Sequence, residues 1–355
     1  MQHVSIAKKL LGTAAVVAVT LGMLGAAPAQ ADKIVISNWD AYMPADLLAN
    51  FTKETGIETE LSIHATNEEI VGKITASGGK GLDVVFLSSH YAQAMGKLGL
   101  SAKLDHSKIP NLKNLYPEAA SLSYDPGNNY SVPYTWGTTG LCYRSDLVSF
   151  TPSSWYDLIR PAEELKGKVT MLSTDRWLMA VGLFALGYSV NSEDEGEIAK
   201  ARDLLIEAKK GLLAYDDTTF YSKLVSAEAL LVHAWDGWCN YGIAENADIK
   251  FVVPKEGSDL WVDAMVVMEA SENKDAAHKF MNYVLRVETQ KWVAENIMYK
   301  VPNKAAMEAL DPSYIEAYPN MGMGPAELLK YEHLHDIGKA QKAYTRAVTE
   351  ILASQ

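Results

Sequence analysis

The stretch DLWVDAM, residues 259–265, places an indole and a carboxylate two residues apart. On a strand, residues two apart share a face, so Trp261 and Asp263 project together while Val262 and Ala264 turn into a core. An aspartate inside an apolar strand is costly unless something pairs with it. That partner is either an internal lysine or arginine, or a ligand. An indole face attracts cations through its quadrupole, at roughly 0.5–2 kcal/mol per contact. Trp261 and Asp263 together therefore suit an organic cation, and an amine above all.

The same pairing recurs along the chain. Trp39 is followed by Asp40 and Tyr42, and Trp235 by Asp236 and Trp238. Tyr134 and Trp136 lie in SVPYTWGTTG. Most of these sit near the ends of predicted strands, which is where open α/β sheets bind ligands. Any one tryptophan in a strand is more often core than ligand box, and an aspartate after a strand is usually a solvated turn residue. Asp263 stands out because it lies within the strand.

The elements that would position these residues follow from periodicity. KIVISNW (33–39) predicts a strand, and Leu47, Leu48 and Phe51 predict a helix that ends at Gly56. IETELSIHA predicts a second strand, and Asn67 a cap for the helix beginning EEIVGKI. LDVVFLS (82–88) is apolar throughout, as a strand buried on both faces requires. A helix follows over 91–98. This β-α-β-α-β alternation predicts an α/β fold with a largely parallel sheet. Further on, KVTML, ALLVHAW, IKFVVP and LWVDAMVVM predict strands. Helices are predicted over 176–186, over IAKARDLLIEAKKGLL, after Asn273 and over 337–352.

The chain has 355 residues and a net charge of −12. Its start has a basic segment with Lys8 and Lys9, an apolar run and Ala29-Gln30-Ala31, which predicts a cleavable signal peptide over 1–31 and a periplasmic protein. The acidic remainder speaks against nucleic-acid binding. Its length suggests two domains. Cys142 and Cys239 lack metal-ligand spacing and are expected to be two separate buried thiols.

Motifs of catalysis are missing from the sequence: no H-E-x-x-H, C-x-x-C or G-x-S-x-G occurs. SGGKGLD (77–83) lacks the spacing of a phosphate-binding loop. His333-x-His335-Asp336 reads as a solvated helix-capping turn before it reads as a metal cluster. No metal, cofactor or enzymatic activity is expected. An exported enzyme acting on amines remains the reading from a different class, since a triad can assemble from distant residues.

The order of segments resembles the spermidine/putrescine-binding periplasmic proteins, the solute receptors of polyamine ABC importers. SNWDAYMPADLLANFTKETGI, DVVFLSSHYAQAM, YSVPYTWGTTGLCY, FVVPKEGSDLWVDAM, NYVLRVETQKWVAENI and YKVPNKAA carry the resemblance, which spans essentially all of the chain after the leader. It implies a two-lobed periplasmic binding protein fold of type II, with a ligand cleft between lobes. Chain crossings would lie near Thr138–Tyr143 and Trp261–Asp263, with a return after Pro302. The lobes would comprise 32–138 with 262–302, and 139–261 with 303–355. The resemblance also implies a monomer that delivers a small amine to an inner-membrane permease.

Carried over residue by residue, the family's aromatic box falls on Trp39, Tyr42, Trp235, Trp261 and Tyr299. Its ligand-facing serine falls on Ser88 and its amine-binding aspartate on Asp263. The departures concern the other end of the ligand. Where the family has an acidic pair, this chain reads STDRWLM, with Thr174 and Trp177 at the acidic positions. A family tyrosine becomes His90, and a glutamine becomes Leu334. Asp40 or Asp236 would then replace the lost acid. If neither does, the cleft suits a single cationic head, such as a quaternary ammonium or γ-aminobutyrate, whose carboxylate Arg176 would face.

Overall fold

In the computed structural model, which describes residues 33–354, ten strands form the framework. In chain order they are β1 (Lys33–Asn38), β2 (Glu58–Ile63), β3 (Val84–Ser88), β4 (Ser131–Arg144), β5 (Val169–Met171), β6 (Ala214–Tyr215), β7 (Leu231–Trp235), β8 (Ile249–Val252), β9 (Asp259–Val267) and β10 (Glu332–His333). The predicted leader lies outside the described residues. Among the described residues, no helix is long and apolar enough to cross a membrane.

β1 pairs in parallel with β2 and β3, joined by the helices Leu47–Thr55 and Asn67–Ser77, as the alternating pattern predicts. β3 is buried at every residue, which explains why its sequence is apolar without alternation. β9 then enters antiparallel to β3, with Ser88 opposite Asp263. The late return of β9 makes the sheet mixed where local alternation predicts a parallel one. A parallel pair needs a crossover element, whereas an antiparallel neighbour can arrive from anywhere in the chain.

β4 joins the two halves. Ser131–Thr138 pairs with β9, while Thr139–Tyr143 pairs with β7 and Leu141–Arg144 with β8. One 14-residue strand, buried throughout, thus serves two groups of strands. The switch falls between Thr138 and Thr139. The second group adds β5 and β6 in parallel, and the helix Gln341–Ala353 packs on the helices Asp175–Ala185 and Glu195–Ala208. The short helix Lys304–Glu308 packs instead on Val287–Asn296, beside the first group of strands.

Two local expectations change. Cys142 and Cys239 form a disulfide, with Cα atoms 5.8 Å apart, rather than two separate thiols. The bond ties β4 to the helix Asp236–Glu245, two elements whose proximity only the tertiary fold creates. The cap of the helix Asn67–Ser77 is Thr66, whose hydroxyl accepts from the Glu69 N–H at 3.2 Å. Asn67, the predicted cap, is buried and hydrogen-bonds to Ser88 instead.

Candidate functional site

Asp263 lies on β9 where β3 ends, and both of its carboxylate oxygens are held. The Ser88 hydroxyl donates to Oδ1 at 2.8 Å, and the Tyr42 hydroxyl donates to Oδ2 at 2.9 Å. Ser88 is itself fixed by Asn67, whose Oδ1 accepts the Ser88 N–H and whose Nδ2 donates to the Ser88 hydroxyl, each at 3.0 Å. Tyr42 also lies 2.8 Å from the Thr135 hydroxyl on β4. These supports are neutral, and burial pushes the Asp263 carboxyl up to about 6 while the Ser88 and Tyr42 hydrogen bonds oppose the rise.

Aromatic rings continue from this carboxylate. Trp39, just after β1, meets Tyr42 edge-on at 5.4 Å, and Tyr42 meets Tyr299 at 6.2 Å. Tyr299 meets Trp261 edge-on at 5.0 Å. The alternation argument thus holds: Trp261 and Asp263 join one cluster, while Val262 and Ala264 are buried in the core. Gly237 explains the close seating of Tyr299, because a Cβ there would collide with its ring. Gly137 does the same for the Trp261 indole.

A second group gathers where β7 ends. Trp177, in the first turn of the helix Asp175–Ala185, meets Trp235 edge-on at 5.4 Å and His90 at 6.1 Å. His90 is buried, with no hydrogen-bond partner on either ring nitrogen among the described residues. Burial holds its imidazole well below the ordinary range, so it is neutral at pH 7.

Four expectations are corrected. Asp236 is not available to a ligand: it is buried, it forms an ion pair with Lys300, and it accepts the N–H groups of Thr138 and Gly237 at 3.3 and 2.9 Å. Asp40 is exposed on the turn after β1 and does not join the aromatic cluster. Arg176 is already held by the protein itself. Its guanidinium is buried against the His335 and Val190 carbonyls and Asn191 Oδ1, at 2.7, 3.3 and 2.7 Å. His333 is buried in β10 rather than solvated, while Asp336 does cap its turn through the Gly338 N–H at 2.9 Å.

Asn67, Thr135 and Asp259 were not foreseen. Asn67 reads as a helix cap, and Thr135 carries no signal in the sequence. Asp259 had one: it sits two residues before Trp261, so the same alternation puts it on the same face. Two surface depressions, about 190 Å³ beside Trp136 and Met307 and about 390 Å³ beside Gln93 and Tyr130, involve none of the predicted site residues.

Comparison with known proteins places the chain as a whole. The family model for bacterial extracellular solute-binding proteins matches residues 46–322. The spermidine/putrescine-binding periplasmic protein of Salmonella typhimurium is 33% identical over 95% of this chain and 97% of its own length. A solved structure from Listeria monocytogenes superposes with a TM-score of 0.84 at 32% identity, covering 92% of this chain and 100% of that one. The spermidine/putrescine ABC transporter substrate-binding protein of Streptococcus pneumoniae gives 0.77 at 30% identity, covering 91% and 99%. The two-lobed type II fold of the periplasmic binding proteins is therefore the fold of this molecule. With the match running across most of its length, the chain belongs to the family of bacterial extracellular solute-binding proteins.

Proposed function

We propose that this protein is the periplasmic receptor of an ABC importer and captures a polyamine. It would act as a monomer that hands the amine to an inner-membrane permease. The observation that carries this reading is Asp263. Its carboxylate is oriented by Ser88 and Tyr42, which neutralise none of its charge, and it borders a run of aromatic rings. An ammonium group would supply the missing charge, and methylenes would lie along Trp39, Tyr42, Trp261 and Tyr299. The spermidine and putrescine named in relatives fit this chemistry.

Binding by closure of two lobes needs a bridging ligand, since a ligand shifts an equilibrium only by its differential affinity for the two states. We take the lobes to meet at the Thr138–Thr139 switch in β4 and in the segment between β8 and β9. Ser88, Tyr42 and Asp263 stand with the first group of strands, and Trp177 and Trp235 with the second.

A singly cationic amine is the second reading. It is favoured by Trp177, an uncharged ring standing with Trp235 and His90. A zwitterion such as γ-aminobutyrate is disfavoured, because Arg176 spends its guanidinium on main-chain carbonyls and Asn191.

A thermal-shift panel of putrescine, spermidine, cadaverine, choline, glycine betaine and γ-aminobutyrate tests the proposal. A ligand at about 100 times its dissociation constant adds roughly 2.7 kcal/mol, enough to raise the midpoint by several degrees. The expected result is a shift with polyamines. A shift with choline or betaine alone would replace the polyamine by a quaternary ammonium.

A further inference from the structure

Asp259 is a buried acid that the cluster around Asp263 does not use. It begins β9, and its side chain is fully buried. Like Trp261 and Asp263 it falls on the odd positions of the strand, so the three share one face. The Trp177 indole N–H donates to its Oδ2 at 3.1 Å, and the Thr139 hydroxyl donates to its Oδ1. The Ser258 hydroxyl adds a donor to Oδ1 at 3.3 Å, so among the described residues the hydrogen bonds on this carboxylate come from neutral groups. Arg176 lies within electrostatic reach, but its own hydrogen bonds run to His335, Val190 and Asn191 instead.

Spacing gives this arrangement its meaning. Four residues of strand separate Asp259 from Asp263, a distance of about 13 Å. An extended chain advances about 1.2 Å per bond, so the five bonds between the nitrogens of putrescine span about 6 Å and the nine bonds of spermidine about 11 Å. Only the longer amine has a nitrogen to place at each acid. At the Asp259 end that nitrogen would meet Trp177 before the carboxylate. An indole whose N–H is given to a carboxylate is polarised toward its face, which strengthens its attraction for a cation.

We propose that Asp259 is a positioning residue for a second ammonium: through the Trp177 indole it extends the negative end of the cleft. The preferred ligand is then an amine with two cationic centres about 10 Å apart, a triamine of spermidine's length rather than a four-carbon diamine. This rests on the polyamine reading above and adds the length of the ligand to it.

Isothermal titration of the purified protein with spermidine and with putrescine tests it. Wild type should bind spermidine at least about tenfold more tightly. Asp259→Asn keeps an acceptor for Trp177 but removes the charge. It should weaken spermidine about tenfold and putrescine by less than about twofold, with an unchanged melting midpoint. Trp177→Phe, which keeps a ring but loses the N–H, should also lower the spermidine-to-putrescine ratio, by about threefold or more. It carries the test if Asp259→Asn does not fold. A wild-type preference for putrescine overturns the inference, as does an equal loss for both ligands or a ratio that survives both substitutions. In those cases the polyamine reading stands, because both amines still bind. Failure of wild type to bind either amine would remove that reading, and the inference with it.

Discussion

Asp236 and Asp263 are both aspartates close to a tryptophan in sequence, and both are set against Tyr299 or its neighbours. Their electrostatics are opposite. Asp236 is paired with the ammonium of Lys300, 64 residues further along, and receives two main-chain N–H groups besides. Among the described residues, Asp263 receives two hydroxyls and no cationic side chain. The first is a closed account of charge, which holds Lys300 beside the β4 switch, where the Lys300 main chain also bridges to Trp136. The second is open. On the proposed reading, a site for a cation would be marked less by an acid near an aromatic ring than by an acid whose protein partners are all neutral.

Removing the charge at Asp236 should produce the largest effect. Asp236→Asn leaves the Lys300 ammonium buried without a counter-charge, at a cost of about 3–5 kcal/mol. Chemical denaturation should show that loss whether or not an amine is present. A loss below about 1 kcal/mol would mean that water or another acid reaches Lys300, and the contrast between the two aspartates would dissolve.

At Asp263 the same substitution should act on binding. Asp263→Asn is expected to weaken amine affinity by about 30-fold or more, because it removes one partner of a desolvated charge pair. The ligand-free protein should become no less stable. The sign follows from the pKa: the folded carboxyl titrates near 6, above its ordinary value of 3.8, so stability in the absence of ligand declines as pH rises between those values. For binding the direction reverses. The amine stays protonated, so affinity should fall as pH drops through about 6, by about tenfold per unit below it, and Asp263→Asn should flatten that profile. A pH-independent affinity in wild type would detach Asp263 from the ligand.

Asp40 supplies the smallest expected effect. Exposed on its turn, it should change affinity by less than about twofold when replaced by Asn, and that change should vanish in high salt. A loss comparable to that at Asp263 would show that the turn folds over the ligand and that the second acid is Asp40 after all.

How much of this was legible in the sequence depends on the range of the interaction. The β1–β3 unit was legible because each step is local: helical spacing at Leu47 and Phe51, a left-handed Gly56 at the helix end, an apolar run at β3. The shared face of Trp261 and Asp263 followed from the twofold period of a strand. Lys300 as the partner of Asp236 was not legible, nor was the meeting of Cys142 with Cys239, because both join residues that only the β4 crossing brings together. Asn67 misled for a different reason. An amide before a helix suits a cap, and the chain instead used Thr66 for that purpose and spent Asn67 on Ser88. Asp259 was available to the same alternation argument that found Asp263. The predicted strand LWVDAMVVM starts one residue after it, whereas β9 starts at Asp259 itself.

The disulfide between β4 and the helix Asp236–Glu245 closes a loop of 97 residues. In the chain-entropy description, a closure of that length stabilises the folded state by about 4.7 kcal/mol. That is a large share of the 5–15 kcal/mol typical of a whole protein. The bond forms only in an oxidising compartment. If residues 1–31 act as the predicted leader, maturation would be coupled to place: the clasp would close only after translocation, and the fold would become durable there. Geography, as much as sequence, would then decide when this receptor becomes a receptor.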